Sequence, residues 1–169
     1  MKKETAILGG GCFWCVEAVF ENRPGILSAV SGYAGGKKVN PSYEEVCTGT
    51  TGHAEVVRIE YDTAVISYGE VLGLFFKAHD PTSLNRQGAD TGTQYRSIIL
   101  YSSPEQKKEA EAVITETRKY FSRPLVTEVA ELDAFYAAED HHQDYYAKNP
   151  NGGYCTFVIR PKLKKLGLE

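Results

Sequence analysis

Hydrophobic and polar positions along this chain change period several times, and each change marks an element. Residues 5–8 form a short apolar run that reads as a buried strand, ended by Gly9, Gly10 and Gly11. Val16, Ala18, Val19 and Phe20 predict a helix over residues 13–21, stopped by Pro24 and Gly25. Residues 26–33 read as a strand that runs into the turn-rich GYAGGKKVNPS. Residues 54–61 alternate, with Val57, Ile59 and Tyr61 on one face and Arg58 and Glu60 on the other. Residues 67–79 form a helix with a capping box, Ser67 at the start and Glu70 reaching back. Val71, Leu72, Leu74, Phe75 and Phe76 supply its apolar side, and Pro81 ends it. Residues 80–94 are a long polar loop, a type that is often functional inside a compact domain. A strand follows over 95–101. The next helix starts at SPEQ, with Ser103 as cap, Pro104 first and Gln106 reaching back; Ala110, Val113, Ile114 and Thr117 make its face. Residues 126–132 predict a strand and residues 135–146 a helix, and NPNGG turns sharply before YCTFVIRP.

The order is β-α-β-β-α-β-α-β-α with an apolar tail, which predicts an α+β fold of two layers, a mixed sheet covered by helices. Periodicity alone leaves the strand order open. A chain of 169 residues, 42% hydrophobic and 24% charged, suits one soluble globular domain. At this length roughly two-thirds of the unfolded surface is buried on folding, so the core needs no disulfide staple. A net charge of -3 gives no electrostatic case for nucleic acid or a membrane. The basic cluster Arg160, Lys162, Lys164 and Lys165 reads as a solvated chain end. No run approaches the ~20 apolar residues of a membrane span. MKKETAILGGG lacks the apolar stretch of a signal peptide, so a cytoplasmic location is expected. Four cysteines in that reducing compartment are expected to be free, catalytic, redox-cycling or metal-bound rather than locked in structural disulfides.

The chemistry concentrates in GGGCFWCVE at residues 9–17. Cys12 sits where a strand meets a helix start, and unpaired N–H groups there favour a thiolate, the nucleophilic form. The same segment supports other readings. Cys12-x-x-Cys15 has the spacing of a thioredoxin-like dithiol. One C-x-x-C also supplies half a zinc site, but Cys47, His53, Cys155, His141 and His142 are scattered. GYAGGKK at 32–38 misses the phosphate-loop pattern, since Lys38 stands where Ser or Thr belongs. Phe13 and Trp14 offer an apolar wall for a group such as a methyl. Adjacent residues cannot both face the core of one helix, so at least one faces a cleft or the surface. Glu55 falls on the face of Val57 and Ile59, where burial raises a carboxyl pKa and leaves a proton to donate. Asp90 and Tyr95 lie at the end of the polar loop, Tyr33 ends the strand over 26–33, and phenols donate well to a developing oxyanion.

Five stretches resemble the peptide methionine sulfoxide reductase A family, in that family's order: GCFWCVE, GYAGG, YEEVCTGTTGHAE, DPTSLNRQGADTGTQYRS and FYAAEDHHQDYYAKNPNGGYC. The resemblance implies one catalytic domain over residues 1–169, a two-layer α/β plait, ferredoxin-like at its core, with helical extensions; the core runs over about 5–146 and a C-terminal coil over about 147–169. It implies Cys12 as nucleophile, Glu55 as acid, Tyr33, Tyr95 and Asp90 around the sulfoxide oxygen, and Phe13 and Trp14 against the ε-methyl. The S epimer, free or in peptides, is the implied substrate, thioredoxin the reductant, and no cofactor or metal is implied; a monomer is expected. Cys155 resembles the resolving cysteine, with Cys47 as its rival and Cys15 buried or relaying. After Cys155 the sequence carries no further cysteine, unlike members with two in the tail, which removes a relay onto such a residue. His142 and Gln143 match the family's H-Q segment and are read as structural or as supporting the residues that touch substrate.

Overall fold

The structure is a computed structural model and describes residues 2–21, 23–88, 90–143, 145–149, 152–153 and 159–165. In chain order, β1 (Lys3–Gly9) leads into α1 (Phe13–Phe20) and β2 (Ile26–Ala34). A short α2 (Tyr43–Cys47) precedes β3 (Ala54–Asp62) and α3 (Tyr68–Ala78). The polar stretch holds β4 (Arg86–Gln87), β5 (Asp90–Thr91) and a 3-10 turn at Thr93–Tyr95 before β6 (Ile98–Tyr101). Then come α4 (Pro104–Thr117), β7 (Glu128–Glu131), β8 (Phe135–Ala137), a 3-10 turn at Asp140–His142, α5 (Tyr145–Lys148) and α6 (Arg160–Lys165). The fold is mixed α+β, and no helix among the described residues is long and apolar enough to cross a membrane.

Six strands form one sheet in the order β7-β6-β1-β3-β2-β8, and β4 pairs only with β5. β3 lies between β1 and β2, antiparallel to both. Among the described residues the β6–β7 pair alone is parallel, as a connection through α4 requires. β3 is covered on its helix side along its length and on its reverse side at its start, where Arg58 marks the change to solvent. Val57, Ile59 and Tyr61 join Ala6, Leu8, Val16, Phe20, Leu72 and Phe75 under the helices. Ala54 and Val56 join Ile7, Ala34, Ile98 and Leu100 in a smaller cluster on the reverse. Each large apolar side chain so buried is worth about 1.5–3 kcal/mol before entropy is counted.

The capping box of α3 forms as its spacing predicts. Glu70 N–H donates to Ser67 Oγ at 3.0 Å, and Ser67 N–H donates to Glu70 Oε1 at 3.2 Å. Ser42 and Glu45 build the same device at α2, inside a stretch that reads as plain turn; five residues are too few for periodicity to show. At α4 the box stays half made. Gln106 N–H donates to Ser103 Oγ, but the Gln106 amide turns away, accepting from Ser102 N–H and donating to the Thr5 carbonyl. It thereby ties α4 to β1.

Four expectations are corrected. The strand over 95–101 begins only at Ile98, because Tyr95 belongs to the 3-10 turn. The strand over 126–132 shortens to Glu128–Glu131. The helix over 135–146 is instead β8, a 3-10 turn and α5, because Phe135–Ala137 pair with the free edge of β2. Gly32 makes that possible, since a Cβ there would strike the Phe135 ring and the Tyr136 carbonyl. The Gln143 side chain then closes the junction: its Oε1 accepts from Ser31 N–H at 2.9 Å, and its Nε2 donates to the carbonyls of Ser31 and Ala138. The stretch expected to be coil contains α6, whose Leu163 is buried with Ile159 in the larger cluster, so this part of the tail packs on the core.

Candidate active site

Cys12 is the N-cap of α1, with φ -62° and ψ 132°, and its carbonyl accepts from Cys15 N–H at 3.1 Å. The bend before it depends on glycine at two points. Gly11 has φ +88° and donates its N–H to the Tyr95 carbonyl; a Cβ on Gly10 would lie 2.7 Å from the His79 ring. That ring is fixed from below: Nδ1 pairs with the Phe75 carbonyl, and Nε2 with Ser97 Oγ at 2.7 Å. Since a carbonyl only accepts, the proton sits on Nδ1.

The first free donor of α1, Phe13 N–H, is satisfied from another strand. It donates to Glu55 Oε1 at 3.1 Å. Glu55 is 1% exposed, on the helix-covered face of β3. Tyr33 of β2 stands directly opposite it in register, close enough for side chains on one face to meet. Glu55 Oε2 and the Tyr33 hydroxyl are both buried with no hydrogen-bond partner among the described residues. Burial pushes the Glu55 carboxyl up to about 8; Asp90 adds to the rise, while the Phe13 N–H and the Cys12 side chain oppose it. The carboxyl is therefore protonated at neutral pH.

The phenols behave consistently. Burial raises Tyr33 far above its ordinary value, helped by Glu139 and then Glu55. Tyr95 is raised by burial, then by Glu55, Cys12 and Asp90. Both stay un-ionised donors. Residues singled out in four separate segments, Cys12, Tyr33, Glu55 and Tyr95, with Asp90 beside them, thus act on one another. Tyr43 at the start of α2 belongs with them and went unnoticed in the sequence: it is raised by burial, by a hydrogen bond with Cys47 and by the Glu55 charge. The chain has 11 Tyr, and nothing local marks this one.

Phe13 is fully buried, its ring 5.7 Å from that of Tyr33. Trp14 is half-buried, as two adjacent aromatics on one helix require. Its indole lies 3.8 Å from the Tyr145 ring at 8° and donates Nε1–H to His142 Nδ1 at 3.3 Å. His142 Nε2 stands 3.4 Å from Glu139 Oε2. His53 ties two loops together: Gly36 N–H donates to its Nδ1, and its Nε2 donates to the Lys38 carbonyl. Cys15, 3% exposed, points into the core, and Cys47 is exposed at the end of α2. Burial raises the Cys47 thiol, Tyr43 opposes, and Glu55 and Glu44 add to the rise. Cys155 lies outside the described residues. Among the described residues no group of three or more His, Cys, Asp or Glu is placed to hold a metal ion.

Comparison with known proteins bears on the family of the chain. The sequence matches the family model "Peptide methionine sulfoxide reductase" over residues 4–168. It is 59% identical over 162 residues to peptide methionine sulfoxide reductase MsrA of Leptospira borgpetersenii, covering 96% of this chain and 92% of that protein. The MsrA of Saccharolobus solfataricus is 56% identical over the same shares. The structure is similar to reduced Mxr1 of Saccharomyces cerevisiae, with TM-score 0.87, 36% identity, and 91% and 90% of the two chains covered. Mxr1 in complex with Trx2 shows the same fold, with TM-score 0.62, 24% identity, and 85% of each chain covered. On the family match and these identities, the chain belongs to the peptide methionine sulfoxide reductase A family and is an oxidoreductase.

Proposed function

We propose that this enzyme reduces peptide-methionine (S)-S-oxide through direct attack of Cys12 on the sulfoxide. The observation that carries the reading is the pair of orphaned atoms, Glu55 Oε2 and the Tyr33 hydroxyl, buried opposite each other beside Cys12. Leaving such groups unsatisfied costs about 1–3 kcal/mol each. A sulfoxide oxygen, a strong acceptor, relieves both at once.

In this scheme the Cys12 thiolate attacks sulfur while Glu55 delivers its proton to the oxygen, which Tyr33 and Tyr95 hold. The sulfur–oxygen bond of the substrate breaks and the oxygen passes to Cys12. Methionine leaves, reduced by two electrons, and Cys12 becomes a sulfenic acid. Phe13 and Trp14 receive the ε-methyl on the side away from the oxygen, which selects one epimer. Asp90 helps hold the Glu55 proton by its negative charge. A second thiol then displaces water from the sulfenic acid to give a disulfide. Cys155 is the proposed resolving thiol and Cys47, on the exposed end of α2, the alternative. Thioredoxin, by analogy with the Mxr1–Trx2 complex, returns the disulfide to two thiols by exchange. That cycle needs a reducing compartment, so we place the enzyme in the cytoplasm. One chain supplies the described acid, phenols and nucleophile, which fits a monomer. The order β6-β1-β3-β2 with α1 and α3 as crossovers supports a ferredoxin-like plait as the core.

The test is a single turnover without reductant. Reduced enzyme mixed with a chiral methionine sulfoxide should yield one methionine per chain and lose two thiols. Turnover retained by Cys12→Ser would refute the scheme.

A further inference from the structure

We propose that Glu17 is a positioning residue for the aromatic wall: from inside α1 it holds the Tyr145 backbone so that the Tyr145 ring lies flat on Trp14. Glu17 is 1% exposed on a helix whose other inward residues are apolar. A carboxyl persists in such a place only when hydrogen-bonded. Both of its oxygens are engaged by other elements. Ser31 Oγ–H donates to Oε2 at 3.0 Å, and Tyr145 N–H, 128 residues away, donates to Oε1 at 3.3 Å.

The tie matters because of what stands one turn earlier. Trp14 precedes Glu17 by three residues, so the two share a side of α1. The Tyr145 ring covers the indole at 3.8 Å, and His142 lies 5.6 Å from it at 26°. A stack that close is set by where the Tyr145 backbone is held. Ser31 is a common anchor, since Gln143 grips its backbone while Glu17 grips its hydroxyl. Glu17 thus links α1, β2 and the α5 segment behind the wall. Its role in turnover rests on the reading of Trp14 as a substrate-binding surface.

The sequence contains one tryptophan, so fluorescence excited beyond the absorption of its 11 tyrosines reports Trp14 alone. Glu17→Leu removes both acceptors, and Glu17→Gln restores the bond to Tyr145 N–H and meets Ser31 Oγ with a donor. Ser31→Ala deletes the other partner and leaves the Tyr145 tie intact. Glu17→Leu should shift the Trp14 emission to the red and increase its quenching by acrylamide. It should also raise KM for a methionine sulfoxide peptide about tenfold with little change in kcat. Glu17→Gln and Ser31→Ala should keep wild-type emission and KM. Should Glu17→Leu not fold, Glu17→Asp carries the same test, since it withdraws the acceptor by one methylene. Wild-type emission in the folded Leu or Asp variant overturns the proposal, as does Ser31→Ala reproducing every effect. A shifted emission with unchanged KM overturns instead the substrate-wall reading, and with it the functional half of this proposal.

Discussion

Glu55 joins two properties that rarely coincide: nearly complete burial and one oxygen left for an incoming partner. Its pKa, raised to about 8 from 4.5, has two consequences. The folded state holds a proton there that the unfolded state has released, so this group's stability contribution is full below about 4.5 and is lost as pH rises toward 8. Glu55→Gln should therefore flatten the fall in stability across that window, by an amount on the order of a few kcal/mol, measured by urea denaturation at several pH values. At the same scale, Gly10 faces the pinned His79 ring. Gly10→Ala forces that ring or the turn to move and should cost about 1–3 kcal/mol, with a slower reduction step. The acid was legible in the sequence because a carboxyl falling in step with Val57 and Ile59 has to face the helices. Tyr43 and Glu17 were not. Their roles come from partners on other elements, and no local spacing encodes a bond from α1 to a residue 128 positions on.

Helix starts were the most legible elements, since a cap and its partner lie three residues apart. The two complete boxes do different work. Ser67 starts α3, part of the core; Ser42 starts α2, which carries Tyr43 and Cys47. Ser67→Ala should lower global stability by about 1 kcal/mol and leave the single-turnover rate unchanged. Ser42→Ala should instead slow that rate while barely moving the thermal midpoint, because α2 lies at the edge of the site. Stopped-flow turnover and calorimetry on both variants separate the two effects. The stretch 135–146 was misread for the opposite reason. Its apolar spacing suits a helix, but the open edge of β2 and the bare Gly32 beside it favour a strand, and only tertiary pairing reveals that competition.

At the scale of the molecule, the sheet does one job for the chemistry: it sets β2 and β3 side by side so that Tyr33 and Glu55 meet beneath the start of α1. The segment from β8 to α5 then closes over Trp14 from the far end of the chain. Long-range geometry of this kind unites residues that the sequence shows only as separate motifs. Peptide mapping after one turnover should find Cys12 joined to Cys155; a bond to Cys47 would assign resolution to α2 instead. The most direct test of the central claim is the pH dependence of the single-turnover reduction rate in wild type and Glu55→Gln. An acid that is neutral at pH 7 predicts a wild-type rate that falls above about pH 8 and a variant slower by about 10²–10⁴-fold with that fall abolished. A variant with the wild-type rate and the same alkaline fall would contradict proton donation by Glu55.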